Sequence, residues 1–477
     1  MNVPLPSPAI SRPRALTVTN TEHSNPLQIM GFAALQCFVF ITCSRLSDLY
    51  LPSLHLPLIF SVIALLFTIV SGGLQRAVST TPGKLLCAFT LWMILILPFS
   101  TWRGGSVMML QEDWSRSFSC FLLVAGLTVT LANCRRIIFV LTAGSALAAL
   151  IALIKNARIE GRLVLPIGLF SNSNDMAQML LFALPLSLFF LGKGMVRSMF
   201  ALGSFLILLM AVVQTGSRSA LVAIAVMVVF GFFRASPAQR LLLVAGLAGG
   251  LIVVVLLLPK ATLQRYGTIF GGGGDIEMVD SEEDVQMLKQ NAMALESSRS
   301  RKRVLMMSLE LTARNPIFGV GPGQFQAAAQ DLSNERGERA MWLETHNTYT
   351  QVSSENGIPG LILYLALLIT CFRAVIRLER TARGQKGQEE VAEMGRALLF
   401  ALIGFAVTSF FSSIAYKFMF PLVFGLALAL VRAGQQKLAT AKPVEPSPVF
   451  TPSVPPARFV HGIRKQSSWQ KPAGETR

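Results

Sequence analysis

Charge is the first thing this chain lacks. Only 14% of its 477 residues are Asp, Glu, Lys or Arg, where an ordinary soluble domain carries about 25%. A further 52% are hydrophobic, more apolar surface than a soluble globule of this length could hide. The six cysteines, Cys37, Cys43, Cys87, Cys120, Cys134 and Cys371, sit in or beside apolar runs and form no CxxC pair, which argues against a disulfide framework or a metal centre. HExxH, a P-loop, GxSxG and a GxGxxG following a strand are all missing. The expectation is therefore a protein with no metal and no cofactor. Nucleic-acid binding is disfavoured too, because the excess of 42 Lys and Arg over 25 Asp and Glu is spread over loops and tails with no reader module. A cleavable signal is not visible, since the first 26 residues are polar and Pro-rich.

What is present is a series of apolar runs long enough to cross a bilayer, each close to the 20 or so residues that a spanning helix needs. They lie near 27–43, 53–71, 84–99, 117–132, 136–154, 175–192, 197–214, 219–233 and 240–258, and again near 359–378, 396–413 and 418–432. The expected fold is an all-α polytopic membrane protein of about 12 transmembrane helices. Residues 1–26 read as a disordered cytoplasmic N-terminus, 27–258 as a nine-span region, 259–358 as one large, mostly helical loop, 359–432 as a three-span region and 433–477 as a disordered cytoplasmic tail. With both termini cytoplasmic, the short inner loops hold fourteen Lys and Arg and the outer ones eight, the bias that orients membrane proteins. The large loop then faces outward, into the periplasm if the cell is bacterial.

Three polar stretches fall on that same outer side. The first, Gly168–Asp175, contains Asn172 and Asn174, residues suited equally to capping the next helix. The second, Thr215-Gly216-Ser217-Arg218-Ser219, squeezes Arg218 between two spans, where a cation calls for an anionic partner; a planar guanidinium can grip two phosphate oxygens at once. The third is the large loop, nearly neutral overall but with a basic patch at Arg299, Arg301, Lys302 and Arg303. That patch leads into Asn315–Gly323, and further on come Thr345-His346-Asn347 and Gly357-Ile358-Pro359-Gly360. His346 is the one histidine in a polar segment beside an outer membrane boundary, and a neutral imidazole can take a proton from a hydroxyl near neutral pH.

Taken in order, these stretches resemble the O-antigen ligase and O-antigen polymerase superfamily of bacterial membrane glycosyltransferases. The family's loop signature is a His followed by a polar residue, nine more residues, then Gly-x-x-Gly, and His346-Asn347 with Gly357–Gly360 fit it without a gap. Asn315–Gly323, Thr215–Arg218 and Gly168–Asn174 add three further matches, so the likeness covers roughly residues 165–365. The resemblance implies an inner-membrane enzyme of lipopolysaccharide or other cell-surface polysaccharide synthesis, working among membrane lipids. Such an enzyme moves a glycan from an undecaprenyl-pyrophosphate carrier to the hydroxyl of a glycan, lipid or protein acceptor. It also implies that Arg218 and one of Arg303 and Arg301 hold the pyrophosphate, that His346 orients or deprotonates the acceptor hydroxyl, and that Thr215, Ser217, Asn172, Asn174, Asn347, Gly357 and Gly360 support them.

The chain departs from the family pattern at the basic patch. Three arginines followed by Leu305-Met306-Met307 stand where the family has one arginine and an aromatic-rich helix; spacing to Pro316 favours Arg303, with Arg301 next. The acidic run Asp275–Asp284 has no family counterpart. Two other functions fit the same residues: a polysaccharide polymerase of the same family, and a transporter or flippase of lipid-linked glycan, although the latter predicts ionisable groups near mid-membrane.

Overall fold

The computed structural model describes residues 26–241, 244–246, 299–338 and 342–440. Among them the chain is almost wholly helical, and the one sheet is a hairpin pairing Arg158–Ile159 antiparallel with Arg162–Leu163. The N-terminus before Pro26, the acidic run Asp275–Asp284 and the tail beyond Thr440 lie outside the described residues, as does almost all of the span expected at 240–258.

Among the described residues, seven helical segments are long and apolar enough to cross a membrane: Pro26–Ser44, Pro52–Val70, Leu131–Lys155, Met195–Gln214, Thr348–Ala382, Glu389–Thr408 and Met419–Thr440. An all-α membrane protein is thus what the chain forms. Four other expected spans are helices of 13 to 17 residues, Thr81–Leu95, Ser115–Leu127, Ser173–Ser187 and Arg218–Arg234. At 1.5 Å per residue these reach about 20 to 26 Å, short of a hydrocarbon core of about 30 Å. Local chemistry explains the shortening. A π-helical turn at Leu110–Trp114 precedes Ser115–Leu127, and Pro185 lies near the end of Ser173–Ser187, which passes into a 3-10 turn at Leu188–Phe190.

Small residues bring the helices close, as they must where lipid supplies no hydrophobic drive between them. A Cβ on Gly31 would sit 2.6 Å from Phe67 Cβ, and one on Gly126 2.9 Å from the Gly73 carbonyl oxygen. The Met419–Thr440 helix is apolar around most of its circumference and is buried along most of its length. Its Phe420 stacks on Tyr364 with ring centroids 4.6 Å apart and touches Phe424 at 4.4 Å.

Charged side chains gather at the two ends of the helices. At the end where Arg218–Arg234 finishes, Arg234 pairs with the buried Glu379, Arg135 with Glu390 at 2.8 Å and Lys193 with Glu393 at 2.9 Å. These cations are the ones expected in inner loops. The helix begins, at Arg218, among the residues singled out as candidates for function.

Candidate functional site

Two of the polar stretches are tied together by a side chain that motif matching passes over. Arg162, on the hairpin, donates through Nε to the Thr215 carbonyl at 2.8 Å and through Nη2 to Asn174 Oδ1 at 2.6 Å. Its neighbour Arg158 reaches Gln214 Oε1 at 2.7 Å. Asn172 caps the Ser173–Ser187 helix, accepting the Asn174 N–H at 2.8 Å. Thr215 is fully buried, donates to the Val212 carbonyl at 2.6 Å and accepts the Ser217 N–H at 3.3 Å. Ser217 shares a 2.9 Å hydrogen bond with Ser219. Thr215, Ser217, Asn172 and Asn174 therefore build the frame from which Arg218 starts its helix.

The other two stretches meet through backbone. Ser354 and Glu355 carbonyls accept the Val320 and Gly321 N–H groups at 2.8 and 3.0 Å, and the Pro316 carbonyl accepts the Ile358 N–H at 2.8 Å. Such close approach excludes side chains. A Cβ on Gly357, whose φ is +68°, would lie 2.1 Å from the Ile317 carbonyl oxygen, and one on Gly319 would lie 2.4 Å from the Glu355 carbonyl carbon. Gly357 breaks the Thr348–Ala382 helix at this point. Gly360 is packed too, with Asn356 Cβ 2.4 Å from where its own would be.

Glu355, buried inside that break, accepts from the Gly323 and Phe325 N–H groups at 3.0 and 3.3 Å and from the Tyr416 hydroxyl at 2.6 Å. It thereby anchors the Phe325–Glu335 helix to the membrane body.

His346 sits just ahead of this unit. Asn347 caps the Thr348–Ala382 helix, its Oδ1 accepting the Tyr349 and Thr350 N–H groups at 2.9 and 3.1 Å. His346 itself has a φ of +51°, sparsely populated for a residue with a Cβ. Ser413 holds it there, accepting the His346 N–H at 2.9 Å and sharing a 2.9 Å bond with the Thr345 hydroxyl. Strain of this kind persists only where surrounding structure imposes it, and such residues cluster at active sites.

The electrostatics show which arginine faces the histidine. Burial, the cation of Arg301 and that of Lys417 push the His346 pKa down, against the pull of Asp175. Burial and the nearby Arg218 likewise lower that of Arg301. Arg301 thus lies within electrostatic reach of both Arg218 and His346, and its charge disfavours a protonated imidazole. Arg303 goes elsewhere: it is half exposed and pairs with Glu338. On the helix at 299–314 two residues are about 200° apart, so Arg301 and Arg303 cannot both face Arg218.

A second charged group adjoins the first. Lys417 bonds Asp175 at 3.1 Å; burial opposes its charge, but Asp175 and Glu344 prevail and raise its pKa. Glu344, two residues before His346, is pushed upward, chiefly by burial, although Lys417 and Ser413 oppose the shift. Glu344 and Lys417 line a cavity of about 950 Å³. Arg162, Lys417, Glu344 and Glu355 were all missed as site residues by sequence reasoning. The expected placement of Arg162 and Lys417 in short outer loops between spans was the available signal.

Residues 203–365 match the family model described as O-Antigen ligase. No curated protein matches the chain. The match covers about a third of the sequence and takes in Thr215–Ser219, the 299–323 segment, His346 and Gly357–Gly360, and it supports the likeness to the O-antigen ligase superfamily. Gly168–Asp175 lies outside it.

Proposed function

We propose that this protein is a glycosyltransferase of the O-antigen ligase type. It moves a glycan from an undecaprenyl-pyrophosphate carrier to an acceptor hydroxyl at the outer, periplasmic face of a bacterial inner membrane, with both termini in the cytoplasm. Arg218 and Arg301 hold the pyrophosphate, and His346 engages the acceptor hydroxyl. What supports the reading is that Arg301 lies within electrostatic reach of both Arg218 and His346, which are 83 and 45 residues away from it in sequence.

The chemistry follows from charge. As the sugar–phosphate bond breaks, negative charge grows on the leaving pyrophosphate. Two preorganised guanidinium groups stabilise that charge more in the transition state than in the ground state. The pKa of Arg301 is lowered first by burial and then by the Arg218 cation, and both penalties on its charge are offset when a dianionic diphosphate lies between the two guanidinium groups. The downward shift of the His346 pKa, set by burial and then by Arg301, favours the neutral imidazole as hydrogen-bond acceptor for the hydroxyl. No metal or nucleotide enters the scheme.

The test is transfer by purified full-length protein from an undecaprenyl-pyrophosphate oligosaccharide to a panel comprising a lipid-linked core oligosaccharide, a second repeat unit and a peptide. Arg218→Ala and His346→Ala should each lower the rate by about 10²- to 10³-fold. Wild-type rates in both variants would refute the proposal. The panel separates ligase from polymerase by which acceptor is glycosylated.

A further inference from the structure

The cavity beside the site differs in charge from the arginine cluster. Its walls carry five carboxylates against three arginine and lysine cations, with Glu112, Asp113, Glu344, Ser413 and Lys417 among the lining residues. Arg218, Arg301 and His346 are not among its lining residues. A phosphate would be repelled by the carboxylates of such a chamber. A neutral or amine-bearing polyhydroxyl ligand fits it, because carboxylates accept hydroxyl hydrogen bonds and its lining also includes apolar side chains such as Leu58, Val62 and Met108.

The segment Glu344–His346 links the cavity to the histidine: Glu344 and Thr345 are in the lining, and Ser413, also in the lining, has its Oγ at 2.9 Å from both the His346 nitrogen and Thr345 Oγ1. We infer that the cavity admits the hydroxyl-bearing acceptor and that Glu344 is the catalytic base that takes the acceptor's proton. His346 then positions the oxygen from the pyrophosphate side. This inference rests on the glycosyl-transfer reading and adds to it the acceptor's class and the destination of its proton.

The step balances without a further reactant. The acceptor oxygen forms a bond to the anomeric carbon as the bond from that carbon to the phosphate oxygen breaks. The electron pair leaves with the pyrophosphate, and the hydroxyl proton passes to the Glu344 carboxylate. The groups facing Glu344 are Lys417, Asp175, Asp113 and Ser413. Glu344 is solvent-accessible, open to a ligand in the cavity it lines, and its proton affinity is shifted upward, toward the range where a general base is most effective.

The experiment compares Glu344→Gln and Glu344→Asp in full-length protein, with the undecaprenyl-pyrophosphate oligosaccharide as donor and the lipid-linked core oligosaccharide as acceptor. Glu344→Gln should lower kcat by about 10²- to 10⁴-fold with little change in the donor's KM, and should abolish the acidic limb of the pH–rate profile. Glu344→Asp should restore part of the rate and keep that limb. If Glu344→Gln turns over at the wild-type rate with its acidic limb intact while Arg218→Ala is inactive, the role of Glu344 is refuted and glycosyl transfer stands. If neither variant is impaired, both readings fall.

Discussion

Two seams join distant segments of this protein, and they use different chemistry. The polar seam runs through Arg162, whose guanidinium links Asn174 to the Thr215 carbonyl and so ties the frame of Arg218 to the Ser173–Ser187 helix. The glycine seam presses Asn315–Gly323 onto the broken start of the Thr348–Ala382 helix, backbone against backbone. A side-chain bridge can stretch or be replaced by water, whereas a backbone contact admits no added atom. The two seams should therefore respond to mutation on different scales.

The largest effect is expected in the glycine seam. Gly357→Ala would place a methyl group 2.1 Å from a carbonyl oxygen at a φ of +68°, which combines a steric clash with backbone strain. A loss on the order of 4 kcal/mol or more should appear as failure to yield monodisperse protein in detergent. Arg162→Ala removes two hydrogen bonds from a charged donor and should cost about 2 kcal/mol, read as a lowered Tm of the folded protein. The same variant should weaken transfer, because Arg218 begins its helix only three residues after the Thr215 carbonyl that Arg162 holds. Equal losses of stability in the two variants would erase the distinction between the seams.

Much of the fold can be read from hydropathy alone. Seven expected spans coincide with helices able to cross a membrane. Hydropathy says less where an apolar run contains Pro185 or a π-helical turn, because composition records apolarity and not the backbone's continuity. The candidate site was legible as a set of motifs but not as an arrangement. Gly357 and Asn315–Gly323 look like separate signatures in one dimension, yet each explains the other once the carbonyl of Ile317 is seen beside Gly357.

The choice between Arg301 and Arg303 shows the same limit. Counting residues to Pro316 favours Arg303, but helical phase decides which side chain meets Arg218, and phase depends on where the helix lies against its neighbours. Arg162 and Glu344 carry no motif. Their roles come from what they touch and from the compartment they line.

The claim that Arg218, Arg301 and His346 form the transfer site is tested most directly by assaying Arg301→Ala beside Arg303→Ala with the undecaprenyl-pyrophosphate donor. Arg301→Ala should lose about 10²- to 10³-fold in rate. Arg303→Ala, which breaks a half-exposed ion pair with Glu338, should stay within about fivefold of wild type. An inactive Arg303→Ala beside a fully active Arg301→Ala would contradict the account.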